Sequence, residues 1–276
     1  MYKLLKKIVL PVLSAVLLLS LLAGCTVTAG SAAGSSGKNM LYQVSTLNAL
    51  MLGHYDGAIS CGELLSYGDT GIGTFDALDG EMIALDGKIY QAKGDGSVVS
   101  VNESVTTPFA EVAFFNADFA LDNLSKIENM DTLKTNLTDG IMKETGNPNM
   151  FYMAKITGAF KQILVRSEPG QSKPYAPLEK VLKNQKEYTY DNLSGTMVAL
   201  YCPDYINGLG LAGWHFHFIS DDRSKGGHVL DVSLSSGNAQ IDLISDFHML
   251  LPRDKEFAEL KLAQNLAEKT SAVEGK

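Results

Sequence analysis

The sequence is poor in cysteine, histidine and basic residues, and each shortage excludes a class of protein. Its 276 residues include 3 cysteines and 5 histidines. So few cysteines exclude a disulfide framework, and we expect Cys61 and Cys202 to be buried thiols outside any disulfide. The 23 basic residues face 31 acidic ones, and three of the lysines lie in the N-terminal signal described next. The remaining 20 leave a net charge of −11, which argues against nucleic acid or an anionic membrane surface as a partner.

The first 24 residues have the features of a bacterial secretory signal. Three lysines precede an apolar run from Ile8 to Leu22, which is short for a bilayer span of about 20 residues. The run leads into Leu-Ala-Gly-Cys, a lipobox in which the thiol of Cys25 becomes lipidated. An uncleaved membrane helix is the alternative, and it leaves the cysteine unexplained. We therefore expect an exported lipoprotein that is anchored to the bacterial cell membrane.

The segment after the lipobox is too polar to fold. Residues 25–39 consist almost entirely of small and polar side chains, which cannot bury a core. We interpret them as a flexible tether after the lipidated cysteine. Residues 40–276 then form the folded domain, which is long for one simple domain and short for two. One compact unit containing two sheet subdomains fits this length.

Short apolar runs separated by turn residues predict more strands than helices. The turns at Asp86-Gly87 and at similar Asp-Gly pairs are typical of hairpins. We therefore expect an α+β fold with two mixed or antiparallel β-sheet subdomains and a few helices. The predicted helices span 122–145, which ends at Gly146, and 255–269, while residues 40–52 form a helix or a strand. The predicted strands span residues 82–85, 88–91, 98–101, 109–115, 151–165, 195–201, 213–220, 227–235 and 240–250.

Three of the five histidines fall within GWHFHFISDDRSKGGH, residues 213–228. His215 and His217 share one face of a strand, because alternate residues point the same way, and aromatic residues fill the other face. A turn at residues 221–227 returns the chain and brings His228 alongside. Three converging imidazoles are the ligands of a zinc site that keeps an open position. We predict Zn²⁺ on this hairpin of the C-terminal half; the alternative is polar positions on a half-exposed strand.

A metal-dependent enzyme also needs a group that holds an anion and a group that moves a proton. Arg166 ends a predicted strand, where arginine is usually solvated, so that it is a weak candidate by itself. Glu81 follows an Asp-Gly turn and precedes an apolar strand, where a carboxylate can simply mark the turn. The two remaining histidines, His54 and His248, lie outside the motif and are expected to be structural or surface residues.

Four stretches of this sequence resemble the alpha-acetolactate decarboxylase family. They are YGDTGIGTFDALDGEMIALDGKIYQ, TPFAEVAFF, FYMAKITGAFKQILVRSEPGQSKPYAPL and GWHFHFISDDRSKGGHVLD. The resemblance extends from about residue 47 to the C-terminus. It implies conversion of 2-acetolactate to acetoin and carbon dioxide on a zinc ion held by His215, His217 and His228. It also suggests a homodimer.

The resemblance assigns further roles to single residues. The arginine of the family's active site corresponds to Arg166, and the glutamate of its LDGE motif corresponds to Glu81. A glutamate from the C-terminal tail corresponds to Glu274, with Glu268 as the alternative, and Thr74 is a predicted substrate contact. Two features depart from the family: a tryptophan precedes the histidine pair where tyrosine is common, and the lipobox contrasts with the many cytoplasmic relatives.

The implied chemistry agrees with the residue types. Zinc acts as a Lewis acid toward the negative charge that loss of carbon dioxide leaves on the substrate. Arg166 positions the departing carboxylate, and a protonated carboxyl group in a dry pocket, Glu81 first and Glu274 second, delivers the proton. One alternative is another metal lyase or a cupin-type oxygenase, although a cupin normally has a glutamate shortly after the histidine pair. The other is a lipid-anchored protein that binds zinc or a solute, which leaves Glu81 and Arg166 without a role.

Overall fold

The computed structural model describes residues 39–273, so that Cys25 and Glu274 lie outside the described residues. Within this range strands outnumber helices, as the α+β prediction requires. The helices are α1 (Leu47–Met51), α2 (Cys61–Leu64), α3 (Met130–Thr145), α4 (Leu178–Val181), α5 (Lys255–Ala258) and α6 (Ala267–Val273). The strands are β1 (Met40–Val44), β2 (Ile59–Ser60), β3 (Thr70–Thr74), β4 (Glu81–Leu85), β5 (Lys88–Ala92), β6 (Val98–Ser100), β7 (Thr106–Thr107), β8 (Ala110–Ala113), β9 (Phe119–Leu124), β10 (Phe151–Ser167), β11 (Lys186–Cys202), β12 (Gly213–Ser220), β13 (Gly226–Ile244) and β14 (Asp246–Leu250).

Two large sheets form the framework of the described domain. The first has seven strands in the order β14-β1-β8-β3-β4-β5-β6; it is mixed, because β1 and β14 are parallel and the other neighbours are antiparallel. The second has the order β10-β11-β12-β13-β9 and is antiparallel. Because β10 also pairs with β13, the strands β10, β11, β12 and β13 form a closed ring. A short ladder of β2 and β7 completes the pairing.

Apolar clusters lie on both faces of the closed sheet. One cluster is covered by α3 and contains Trp214, Phe216 and Phe218 from β12. The indole N–H of Trp214 donates to the hydroxyl of Thr138 on α3 at 3.0 Å, which satisfies its polar atom inside this cluster. A second cluster contains residues of both large sheets, such as Ile83 of β4. The aromatic residues of β12 therefore point away from the first sheet, as the alternation predicts.

The predicted helix over residues 122–145 is wrong at its start. Its first residues belong to β9, which pairs with the edge of β13, and the helix begins at Met130. Asn129 caps it by accepting from the backbone N–H of Thr132 at 2.9 Å. Helical spacing of buried residues begins only inside α3, whereas the side chains of β9 alternate between burial and exposure. The end of the helix is as predicted, since Gly146 adopts the left-handed conformation there.

The two predicted strands 227–235 and 240–250 are divided differently in the structure. β13 is continuous from Gly226 to Ile244, and a separate strand, β14, pairs with β1 in the first sheet. Gly237 explains the error, because it reads as a turn residue but is extended and pairs with Gly158. A Cβ at Gly237 would lie 2.7 Å from the carbonyl oxygen of Thr157, so this glycine allows close approach of two strands.

The predicted helix over residues 255–269 is also wrong. The structure has two short helices, α5 and α6, with irregular backbone between them. The amide of Asn48 donates to the carbonyl oxygens of Leu262 and Gln264, at 2.9 and 3.2 Å, which takes these acceptors away from a continuous helix. The side chain of Asn265 accepts from the N–H of Ala267 at 3.1 Å and starts α6. Tertiary contacts override helix propensity here.

The N-terminal part of the domain, the two cysteines and the two remaining histidines agree with the sequence predictions. Residues 40–52 contain both alternatives, β1 and then α1. Cys61 and Cys202 are buried in separate apolar clusters and are not joined in a disulfide. His54 is buried against Asp254, and His248 is exposed, as expected for structural and surface positions. Among the described residues, no helix has the length and apolar character that a bilayer span requires.

Candidate active site

The three histidines of the predicted metal site converge on two neighbouring strands. His215 and His217 lie on β12, and His228 lies on β13 directly opposite His217 in the antiparallel register. β12 and β13 thus form the predicted hairpin, and the loop between them spans residues 221–225. The ligand atoms of the three side chains lie within 4.8 Å of one another. No other group of three or more histidine, cysteine or acidic side chains in residues 39–273 meets this criterion.

Two of the three nitrogen–nitrogen separations in this cluster suit a small divalent metal ion. Nε2 of His215 lies 3.1 Å from Nε2 of His217 and 3.0 Å from Nδ1 of His228. Tetrahedral coordination at a Zn–N distance of about 2.0–2.1 Å requires nitrogens about 3.3 Å apart, close to these separations. Nδ1 of His217 donates to the carbonyl oxygen of Met82 at 2.8 Å, so that the lone pair is on Nε2. The donor set therefore fits zinc, and the identity of the metal stays a prediction.

Burial favours the neutral imidazoles that metal binding requires. His217 and His228 are almost completely buried. Loss of hydration lowers the pKa of His217 well below its ordinary value, and the neighbouring His215 adds to this effect. The pKa of His228 is lowered first by burial and then by the positive charge of Arg166. Both side chains are thus held in the protonation state in which a ring nitrogen can coordinate a metal.

Glu81 lies at the edge of the histidine cluster. It is the first residue of β4, is 7 % exposed, and places Oε2 at 3.5 Å from Nε2 of His217. The turn before it requires Gly80, whose φ is +84° and whose missing Cβ would lie 2.4 Å from the carbonyl oxygen of Ala92. Thr74 donates from its hydroxyl to the carbonyl oxygen of Gly80 at 2.8 Å and fixes the same turn. The sequence motif therefore brings a carboxylate to the histidines.

Arg166 lies beside the histidines at the end of β10, opposite His228 in the ladder with β13. A strand-end arginine is usually solvated, but this side chain is buried. Its Nη1 donates to the carbonyl oxygen of Val273 on α6 and approaches Oε1 of Gln185 at 3.5 Å. Its Nε lies 3.6 Å from Oε1 of Glu168. The guanidinium thus connects the closed sheet with the C-terminal segment.

These side chains line one cavity together with apolar residues of α1 and α4. Its polar lining consists of Thr74, Glu81, Arg166, Glu168, His215 and His217. Except for Glu268, the predicted site residues that the structure describes are thus brought together, since His228 contacts His215 of this lining. A carboxylate, a guanidinium and a set of metal ligands around one cavity can bind a small anion and transfer a proton to it.

Glu168 is the acidic lining residue that sequence reasoning missed. It is 2 % exposed and lies two residues after Arg166. That spacing places both side chains on one face of an extended segment, so the sequence itself could have indicated that Glu168 lies beside Arg166. After burial itself, the charge of Glu168 is the second cause that raises the pKa of the buried Tyr55 phenol.

Two glutamates near the C-terminus are the predicted tail residues of the site, Glu274 and its alternative Glu268. Glu274 follows Val273 directly and lies outside the described residues. Glu268, its alternative, is exposed on α6 and does not line the cavity. Val273 is the residue of α6 that reaches the site, through the carbonyl group that accepts from Arg166.

Comparison with known proteins relates the chain to one family. The sequence profile of the alpha-acetolactate decarboxylase family matches residues 41–264. An alpha-acetolactate decarboxylase of Methanosarcina mazei is 42 % identical over 91 % of this chain and 92 % of its own length. One from Brevibacillus brevis is 38 % identical over 84 % of this chain and 80 % of its own. The crystal structure of the Bacillus subtilis strain 168 protein of the same name superposes with a TM-score of 0.80 at 33 % identity, covering 86 % of this chain and 99 % of that one.

Proposed function

The chain belongs to the alpha-acetolactate decarboxylase family, and we propose that it converts 2-acetolactate to acetoin and carbon dioxide with a zinc ion held by His215, His217 and His228. The observation that carries the proposal is the meeting of this histidine cluster with Glu81 and Arg166 around one cavity. Relatives named for this carboxy-lyase activity, at 34–42 % identity, support the reaction.

The residues divide the reaction between them. A bound zinc ion supplies Lewis-acid stabilisation for the negative charge that departing carbon dioxide leaves on the substrate. Arg166 binds the substrate carboxylate through paired N–H donors and orients the bond that breaks. This carbon–carbon bond leaves its electron pair on the four-carbon fragment. Glu81 then donates a proton to the carbon that carried the carboxylate, and the consumption of one proton balances the release of carbon dioxide.

Thr74 and the apolar walls complete the site in this proposal. The hydroxyl of Thr74 is committed as a donor to Gly80, so that its oxygen meets the substrate as an acceptor. The side chains of Leu47, Leu50 and Leu178 exclude water from the cavity, which strengthens every charge interaction inside it. Glu81 therefore works in a dry setting and delivers its proton from one side.

The test is a direct assay of acetoin from 2-acetolactate. Because the proton comes from a fixed position, the purified protein should form acetoin with a large excess of one enantiomer. Spontaneous decarboxylation in a control with heat-denatured protein gives a racemic mixture. Racemic product at the rate of the control would refute the proposed activity. Glu81→Gln should retain the metal and lose most of the turnover; near-normal turnover would transfer the proton donor role to Glu274.

The alternatives receive less support from the site. A cupin-like oxygenase needs a carboxylate ligand shortly after the histidine pair, but Asp221 and Asp222 in the following loop are exposed. A protein that only captures zinc has no need for a buried arginine and a buried glutamate at the metal ligands. These two residues favour a lyase.

We further propose that the enzyme is exported and attached to the membrane by a lipid on Cys25. The lipobox and the polar tether of residues 25–39 support this location. Radiolabelled fatty acid should be incorporated into the wild-type chain and not into Cys25→Ser, and only the wild type should sediment with membranes. Equal behaviour of the two chains would refute the anchor. The homodimer expected from the family resemblance is testable by sedimentation of the domain from Met40.

A further inference from the structure

Glu168 is a buried carboxylate in the active-site cavity with no role in the reaction described above. Its side chain is 3 % exposed, and Oε1 lies 3.6 Å from Nε of Arg166. Among the described residues, no group donates a hydrogen bond to this buried oxygen. The contact is thus an ion pair that lacks the close geometry of a hydrogen-bonded one. Burying a carboxylate in this way is costly, so the pair requires an explanation.

The backbone around Glu168 is fixed to the same turn that presents Glu81. The hydroxyl of Ser167 donates to the carbonyl oxygen of Ala92 at 2.7 Å, and the N–H of Gly170 donates to Oδ1 of Asp79 at 3.1 Å. The N–H of Gln171 donates to the carbonyl oxygen of Ala77 at 2.7 Å. Glu168 therefore has little freedom to leave the cavity, and its charge remains beside Arg166 when a substrate enters.

The charge of Glu168 competes with an incoming anion for Arg166. The substrate carboxylate meets a guanidinium that is already partly neutralised on its Nε edge. During the reaction the substrate's charge moves away from this carboxylate as carbon dioxide forms. An arginine without a competitor would therefore stabilise the ground state more than the transition state, which lowers turnover.

We propose that Glu168 is a positioning residue that holds the Arg166 guanidinium by its Nε edge and weakens its grip on the substrate carboxylate before decarboxylation. This inference rests on the proposed function. Glu168 would then have two effects: its shape orients the arginine, and its charge limits binding of the substrate in the ground state. The two effects can be separated by two substitutions.

Glu168→Gln removes the charge and keeps the shape and one acceptor oxygen. The expected result is tighter binding of a carboxylate analogue in which the keto group of acetolactate is reduced, so that it cannot decarboxylate. Its Kd, measured by calorimetry, should fall about threefold to tenfold, while KM and kcat for acetolactate fall together by a similar factor. The matched control is Glu144→Gln, which makes the same change at an exposed position of α3 outside the cavity lining and should leave all three constants unchanged.

Glu168→Ala removes shape and charge together and should raise both Kd and KM, because the guanidinium loses its support. A merely structural Glu168 gives the same direction in both variants, with a lower melting temperature and weaker binding. Unchanged or weaker analogue binding in Glu168→Gln would therefore overturn the inference. Wild-type protein that forms no acetoin would instead refute the proposed function, and the analogue Kd in the two variants would still decide whether Glu168 competes for Arg166.

Discussion

The cavity is built from two regions of unlike construction, the strands β12 and β13 and the C-terminal segment 254–273. All eight residues of β12 pair in register with β11, and β12 also pairs with β13 at His217. The C-terminal segment is held by side-chain contacts: Asn48 binds its middle, Arg166 binds its end, and His54 contacts Asp254 at 3.0 Å. Its Leu266 and Val273 also pack in a buried apolar cluster.

The difference indicates how the work of the site is divided. A side chain on a paired strand has its position set by the backbone hydrogen bonds on either side, and a metal site needs that precision. A segment held by a few side-chain contacts opens at low cost in free energy and suits the covering of a cavity. We therefore expect the metal to depend on the strands and turnover to depend on both regions.

The largest effect is expected from His217→Ala. Loss of one of three imidazoles should abolish tight metal binding and lower turnover by about a thousandfold or more, roughly 4 kcal/mol in transition-state stabilisation. Metal content by mass spectrometry and the acetoin rate measure both losses, and circular dichroism checks the fold. His248→Ala is the matched control, because that histidine is exposed and is not among the residues that line the cavity. Full metal content in His217→Ala would show that metal binding does not depend on this histidine of β12.

Truncation after Lys269 should have the next largest effect. It removes the Val273 carbonyl that accepts from Arg166, together with Glu274. Turnover should fall at least about tenfold, or roughly 1.4 kcal/mol, while metal content stays at the wild-type level. The melting temperature should fall by only a few degrees, since the buried apolar loss is chiefly one valine. Wild-type turnover would remove the segment from the site, and Glu274→Gln in the intact chain separates the carboxyl group from the backbone contact.

A smaller loss is expected from Asn48→Ala. Two hydrogen bonds to the segment disappear, at about 1 kcal/mol each, so that the segment opens more often and turnover falls about threefold to tenfold. Limited proteolysis should cut near Leu262 faster than in the wild type. Asn136→Ala, which removes a hydrogen bond on the exposed face of α3, should change neither rate. Equal proteolysis of both variants would mean that Asn48 does not hold the segment.

No effect on activity is expected from Asp242→Asn, which lies at the opposite end of β13 from His228. Burial, and then repulsion from Asp118 and Asp69, raises the pKa of Asp242 to about 6. A raised pKa favours the protonated folded form, so the stability it gives is complete below the ordinary value of 3.8 and is lost as the pH rises through about 6. Asp242→Asn should therefore exceed the wild type in stability by about 2–3 kcal/mol at neutral pH, and by about half as much near pH 5.

Thermal unfolding of both proteins across this pH range measures the difference. A constant difference in melting temperature would show that Asp242 is ionised throughout. Burial of the Asp242 carboxylate would then have no cost in the stability of the folded protein.

The strand region of the site follows from the sequence for local reasons. Alternation places His215 and His217 on one face and Trp214 on the other, and a hairpin turn limits where His228 can lie. Glu81 and Arg166 could be assigned to the site only through the family resemblance. A glutamate at a turn and an arginine at a strand end are common in proteins without any catalytic role. The α+β class follows from the turn residues, although the prediction divided the continuous strand β13 in the region of Gly237.

The C-terminal region does not follow from local pattern. Leu260, Ala263 and Leu266 have helical spacing, but Asn48, more than two hundred residues away in the chain, decides the backbone there. The burial of Glu168 depends in the same way on long-range contacts, in this case with the turn at Asp79. Such contacts leave no periodic signal in the sequence.

In the proposed reaction, acetolactate loses its carboxylate at a metal held by the three histidines. It is tested most directly by adding zinc in steps to metal-free protein while bound metal and the initial rate of acetoin formation are recorded together. The rate should rise in proportion to bound zinc and stop rising at about one ion per chain, the stoichiometry of a single three-histidine site. Undiminished acetoin formation by protein whose complete loss of metal has been verified would show that decarboxylation does not depend on a metal at this site.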